Sequence, residues 1–204
     1  MRLNGINVSK NQGAISWGKV SRAGVQFVMA RASYGKDGRD GSFAANVNGA
    51  KRHGLEAGAY HTCHAGSIEE ARAEAAHFLA CVRGVKLTYP LALDFEENPS
   101  TARADDSWSD IAIAFLREIE AAGYFAMLYA EHDPLESRFD AEKIAPFALW
   151  VAQWDDACTC KLPHGMWQNS RGGSVPGIRG HVGTNISYAD YSVIIRERGL
   201  NGLG

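Results

Sequence analysis

Two stretches decide the fold: Ala50-Lys-Arg-His-Gly54-Leu-Glu-Ala-Gly-Ala-Tyr60 and Ile119-Glu-Ala-Ala-Gly123-Tyr-Phe-Ala-Met-Leu-Tyr-Ala130. Each reads as a helix end, a glycine one step beyond it, and an apolar run. Glycine is favoured there because it enters the left-handed conformation that stops a helix without a Cβ penalty. The run that follows is near-continuously apolar, as in a parallel strand buried on both faces. A helix-to-buried-strand junction used twice means a repeated β/α unit and a parallel sheet.

Working outward, the same apolar character marks strands at Asn4–Val8, Val25–Ala32, Ala57–His61, Tyr89–Phe95, Tyr124–Tyr129 and Phe147–Gln153. Ser67-Ile-Glu-Glu70 has the spacing of a capping box and opens a helix through Val82. Trp108, Ile111, Ala112, Phe115, Leu116 and Ile119 share one helical face, and that helix ends before Gly123. From Pro163 onward the chain turns glycine-rich with short strands, so its last part is expected to be irregular or antiparallel. No repeat and no Pro/Gly/Ser-rich linker divides residues 1–204, which read as a single domain.

The chain has 204 residues, 46% hydrophobic, with 21 basic against 23 acidic side chains and a net charge of −2. That balance argues against nucleic acid or an anionic membrane as partner. The opening MRLNGINVSK lacks the apolar stretch of a secretory signal, and no run reaches the roughly 18 residues of a membrane span. The four cysteines are too few for a disulfide scaffold. Cys158-x-Cys160 and the His61-Thr-Cys63-His64 cluster fit no zinc spacing well, so neither metal nor cofactor is expected.

Chemistry concentrates in Pro90-Leu-Ala-Leu-Asp94-Phe-Glu96-Glu97-Asn-Pro99. Residues two apart on a strand project from the same face, so Asp94 and Glu96 face one way. In parallel β/α proteins the C-terminal ends of strands line the site. Two acids about 6–7 Å apart at Cβ suit general acid/base or glycosyl-transfer work, or a hard cation. An incidental, solvated D-x-E is the plain alternative. Like charges this close push one pKa upward.

Several pieces resemble the family 25 glycoside hydrolases, the bacterial and phage N-acetylmuramidases or lysozymes. They are Gly5-Ile-Asn-Val-Ser9, Gln12-Gly13, Trp17, Gly24-Val-Gln-Phe-Val28, Arg31-Ala-Ser33, Ala50-Lys51, Gly54-Leu55 and Gly58-Ala-Tyr-His61. They continue through Leu93-Asp-Phe-Glu96, Leu149-Trp-Val-Ala152, Met166-Trp-Gln168, Val175-Pro-Gly-Ile178 and Gly180-His-Val-Gly-Thr-Asn185. The resemblance covers nearly the whole chain in the family's order. It implies an α/β fold, an irregular, flattened TIM-like β/α barrel. It also implies cleavage of the β-1,4 bond between N-acetylmuramic acid and N-acetylglucosamine in bacterial peptidoglycan, by a monomer and without a cofactor. Glu96 falls on the family's general acid/base. Asp94 falls on the carboxylate that assists the substrate's own 2-acetamido group in a retaining reaction, an exception to the two-carboxylate scheme.

Two positions depart from the family. Asn7 stands where G-I-D-V-S has an acid, and Gly183 stands where an Asp precedes the final x-Asn. Asn7 keeps the shape and can hydrogen-bond but carries no charge. With fewer carboxylates nearby, Glu96 should be easier to ionise than in a four-acid site. Aspartate at 183 is expected to suffer if that glycine holds a positive φ. A catalytically impaired peptidoglycan-binding module and an enzyme on a chitin-like glycan therefore stay open as rivals.

Tyr60, Tyr129, Trp150 and Trp167 are the candidate sugar platform, because a pyranose face stacks on flat rings with a polar handle. Gln153 and Asn185 are candidate polar contacts. Arg31 is a candidate carboxylate partner, with a structural ion pair as its alternative. His61 and His64 read as loop residues or residues standing behind the site, rather than catalysts. The short ending Gly199–Gly204 has the look of a linker stub, which suits a module of a longer protein. A phage endolysin released by a holin suits the missing signal.

Overall fold

The computed structural model describes residues 1–203; Gly204 lies outside the described residues. Nine strands form one sheet: β1 (Leu3–Val8), β2 (Phe27–Tyr34), β3 (Gly38–Arg39), β4 (Glu56–Thr62), β5 (Leu91–Asp94), β6 (Ala126–Glu131), β7 (Ala148–Ala152), β8 (Met166–Gly173) and β9 (Val182–Ser187). Their order is β1-β9-β8-β7-β6-β5-β4-β2-β3, and β1 also pairs with β2. That pairing closes eight strands into a barrel and leaves β3 as a short flap on β2. Around the barrel, pairing is parallel from β1 and β2 through β4 to β8 and antiparallel on both sides of β9, while the flap β3 pairs antiparallel with β2. The antiparallel part therefore begins later than Pro163, because β8 still runs parallel to β7.

Seven helices accompany the barrel: α1 (Trp17–Arg22), α2 (Phe43–Arg52), α3 (Ile68–Val82), α4 (Trp108–Ala121), α5 (His132–Ser137), α6 (Ala141–Ile144) and α7 (Tyr191–Glu197). Gly54 and Gly123 sit at φ 78° and 83°, the left-handed stops their sequence context requires. At the start of α3 the Ser67 hydroxyl accepts from the Glu70 N–H, while Glu70 reaches back to the Gly66 N–H rather than to Ser67 itself. The Ser67 and Ser107 caps each satisfy an N–H that the helix leaves unpaired, worth about 1 kcal/mol.

Strand parity divides the core in two. Leu91, Leu93, Leu128, Leu149 and Val151 point outward and pack against the helices, with Phe78, Phe115 and Ile119 among their partners. Phe27, Met29, Ala92, Met127, Trp150 and Met166 point into the barrel. Tyr191 and Ile195 of α7 join that inner cluster, so the C-terminal helix plugs the end where the strands begin. The following residues are not a loose linker. Asn201 Nδ2 donates to the carbonyls of Leu87 and Tyr89, and its Oδ1 accepts from the Phe125 N–H. With one end stoppered, the open end of the barrel is where the parallel strands finish.

Candidate active site

Asp94 is the last residue of β5, and Glu96 lies two residues on, just beyond the strand. Inward parity runs through Ala92 and Asp94, so both carboxylates reach the barrel mouth as the D-x-E spacing requires. They line a cleft of about 320 Å³ with Asn7, Tyr60, Tyr129, Glu131, Trp150, Trp154, Gln168 and Arg171. The same parity on β6 brings Tyr129 and Glu131 to this face.

The Thr62 hydroxyl donates to Asp94 Oδ2 at 2.9 Å. Its other oxygen, Oδ1, is buried with no hydrogen-bond partner. Burial, then the neighbouring Glu96 charge, push the Asp94 carboxyl well above the usual carboxylate range, and the Thr62 bond and Arg31 only partly oppose them. Glu96 is half-buried and is raised too, first by burial and then by the Glu131 charge, against the Tyr129 hydroxyl and Arg171. Glu96 therefore stands above the ordinary glutamate value. Acids are missing at 7 and 183, but Glu131 supplies a like charge from another strand.

At the base of the opposite wall lies an uncharged amide network. Asn7 Oδ1 accepts from Gln168 Nε2 at 2.9 Å and Asn185 Nδ2 at 3.1 Å. Two indoles settle which way these amides face, since an indole N–H can only donate. Trp154 Nε1 donates to Gln168 Oε1 at 2.8 Å, and Trp150 Nε1 donates to Asn185 Oδ1 at 3.0 Å. Both amides must then turn their NH₂ groups toward Asn7. The Asn7 oxygen is the acceptor of the network, and its NH₂ is left beside the Tyr60 hydroxyl. Tyr129 OH adds a second donor to Gln168 Oε1.

Gly183 pairs with Asn7 across the β1–β9 ladder. Its φ lies outside the left-handed region, so conformation is not its constraint. Space is: a Cβ at 183 would meet the Asn7 amide head-on. The glycine gives the Asn7 side chain its room.

The structure divides the other candidates. Tyr60, Tyr129 and Trp150 line the cleft. Trp150 is only 1% exposed and meets both tyrosines edge-on, which makes it a floor rather than a stacking platform. Trp167 is corrected: on β8 Met166 and Gln168 face inward, so Trp167 faces outward, with its N–H on the Gln153 carbonyl. Gln153 is corrected too, because its amide ties the following loop through Thr159. Arg31 is held by Asp40 at 3.0 Å, the ion-pair alternative, and does not line the cleft. Asn185 stands behind Asn7 and Trp150 rather than in the cleft. His61 is fully buried outside the barrel between Ser33 and Glu74, while His64 is an exposed loop residue. Among the described residues no three His, Cys, Asp or Glu side chains group as a metal would need, and the cysteines are free.

Four lining residues escaped the sequence reading: Trp154, Glu131, Gln168 and Arg171. Trp154 is the exposed aromatic of the rim, with the Arg171 guanidinium 4.3 Å from its ring centroid. Tyr129-x-Glu131 carries the same parity signal as Asp94-x-Glu96 and could have been found by it.

Paired carboxylates at the mouth of a β/α barrel, walled by aromatic rings and amides, define a site of the glycoside-hydrolase kind. The model of the family described as Glycosyl hydrolases family 25 matches residues 6–178. Lysozyme M1 of Streptomyces globisporus is 27% identical over 206 residues, covering 90% of this chain and 67% of that protein. The autolytic lysozyme of Clostridium acetobutylicum is 25% identical over 179 residues, covering 87% of this chain and 53% of the other. The crystal structure of the CTP1L endolysin superposes with a TM-score of 0.83 at 24% identity, over 96% of this chain and 70% of that one. The chain belongs to glycosyl hydrolases family 25, and its class of enzyme is glycoside hydrolase.

Proposed function

We propose that the protein is a muramidase, a monomeric domain over residues 1–204 that acts in the cell wall. It cleaves the β-1,4 bond between N-acetylmuramic acid and N-acetylglucosamine of peptidoglycan, with no nucleic-acid or membrane partner. The family match and the two lysozyme relatives support the substrate class. The observation that carries the reading is the unpartnered, buried Asp94 Oδ1 beside Glu96 in an open, aromatic-walled cleft. A buried acceptor left without a donor is costly, and a bound 2-acetamido N–H would satisfy it.

In this mechanism Glu96 gives its proton to the glycosidic oxygen as the C1–O bond breaks. The acetamide oxygen attacks C1 from the opposite face, and the N–H bonded to Asp94 becomes more positive as the ring closes. Asp94 stabilises that charge, and Thr62 holds the carboxylate in register. Water then opens the cyclic intermediate, giving its proton to Glu96, and the anomeric configuration is retained. The upward displacement of Glu96 supports the acid role, since the group has to enter the cycle protonated. Tyr60, Tyr129 and Trp150 form the floor under the sugar, and Trp154 forms the rim that stacks on it.

The uncharged Asn7 wall favours a second reading, a wall-binding module with reduced or no turnover. Turbidity clearing of purified walls, followed by mass spectrometry of released fragments, separates the readings. New reducing muramic ends are the expected result. Reducing glucosamine ends would assign a different bond, and binding without release would assign the module.

A further inference from the structure

Asp94 pairs with Tyr129 across the parallel β5–β6 ladder, and the Phe95 N–H donates to the Tyr129 carbonyl at 2.9 Å. Continued by two residues, that register sets Glu96 beside Glu131, both on the inward parity and both lining the cleft. Adjacent strands lie about 4.8 Å apart, so the two carboxyl groups fall in the range where like charges suppress each other's ionisation. Glu131 is half-buried and forms no ion pair among the described residues. The ion pairs at this rim join Arg138 to Glu97 and His132 to Asp133 and Glu136.

We propose that Glu131 is a positioning carboxylate for the acid step: it keeps the proton on Glu96 at neutral pH. This rests on the muramidase reading and deepens it. Every group facing Glu96 fits the assignment. Asp94, two residues before Glu96, acts in the same direction as Glu131 once it is ionised for the acetamide step, although burial opposes that ionisation. Tyr60 on β4 and Tyr129 on β6 are phenols that stay protonated. Gln168 on β8 and Asn7 on β1 are neutral. Arg171 on β8 opposes, but it is exposed and stacked over Trp154, so water screens it. Glu131 is then the standing negative charge that works against loss of the Glu96 proton. When Glu96 protonates the leaving oxygen it becomes a carboxylate beside Glu131, and that repulsion also favours its reprotonation by the incoming water.

The sign follows directly. A general acid works below its pKa, so the rate falls on the alkaline side as Glu96 ionises. Removing the Glu131 charge lowers the Glu96 pKa and moves that limb to lower pH. The test is the pH–rate profile on one wall preparation for wild type, Glu131→Gln and Glu131→Asp, with Tm measured for each. Glu131→Gln should shift the alkaline limb down by roughly one pH unit, a loss approaching tenfold on that limb, with KM unchanged. Glu131→Asp should keep most of the wild-type profile. A limb that stays put, or an equal loss at every pH in a folded protein, would overturn the proposal. A ¹³C-carboxyl NMR titration of Glu96 in the same three proteins needs no turnover. A shift there without wall hydrolysis would sink the muramidase reading alone, and no shift would sink this one.

Discussion

On the β5–β6 side of the cleft, Asp94, Glu96 and Glu131 bring three carboxylates to one face, with one buried oxygen left bare and two groups held above their ordinary pKa. On the β1, β8 and β9 side, Asn7, Gln168 and Asn185 form an uncharged network whose amides are oriented by two indoles. Folding alone favours the second arrangement. Satisfied buried polar groups stabilise and specify a structure, whereas bare acceptors and crowded like charges cost stability. The barrel concentrates its instability on the carboxylate wall, and the other wall holds the rings and amides still.

That contrast can be broken by substitution. Asp94→Asn should lower turnover by about 10²-fold, and it should also raise stability at neutral pH. A carboxylate whose pKa is higher folded than unfolded binds more protons in the folded state. The native state therefore loses stability as pH rises from the ordinary carboxylate range through the folded pKa. Removing that group should raise Tm at pH 7 and leave it unchanged near pH 3, as calorimetry at both pH values would record. An unchanged or lower Tm at pH 7 would mean that the charged wall is not strained.

Gly183→Asp attacks the amide wall by volume. The new Cβ must displace the Asn7 amide, so the cost should be about 1–3 kcal/mol in urea unfolding, with Gln168 and Asn185 disturbed. Trp154→Ala should raise KM several-fold with kcat little changed, because the exposed indole at the rim supplies an apolar face for the sugar. Asn7→Asp is the mildest, a gain of a few-fold at neutral pH. Gln168 Nε2 and Asn185 Nδ2 already donate to Oδ1, so an aspartate would be held ionised there. Its charge should extend the alkaline limb of the pH–rate profile. A lower rate at every pH in a folded Asn7→Asp protein would make the Asn7 NH₂ a working donor.

Strand parity made the carboxylate wall legible. Asp94 and Glu96 follow from a two-residue period on a strand that ends in a βα loop, and the glycine junctions at 54 and 123 announce the parallel barrel. Parity also explains the errors. Trp167 is a candidate by ring type and by its place near a strand end, but on β8 the inward parity falls on Met166 and Gln168, so Gln168 rather than Trp167 reaches the cleft. The amide wall was out of reach, because Asn7 meets its partners across 161 and 178 residues of chain. Gly183 was legible as a departure from the family, but its reason, room for the Asn7 side chain, exists only once β1 and β9 are paired.

The most direct test of the charged wall as the catalytic one is the hydrolysis rate of Glu96→Gln on walls, measured beside its wall binding and its Tm. The account predicts turnover lower by about 10²–10⁴-fold, with binding retained and Tm equal to wild type or higher. Turnover within a few-fold of wild type in the folded variant would contradict it, and would place the acid/base elsewhere in the cleft.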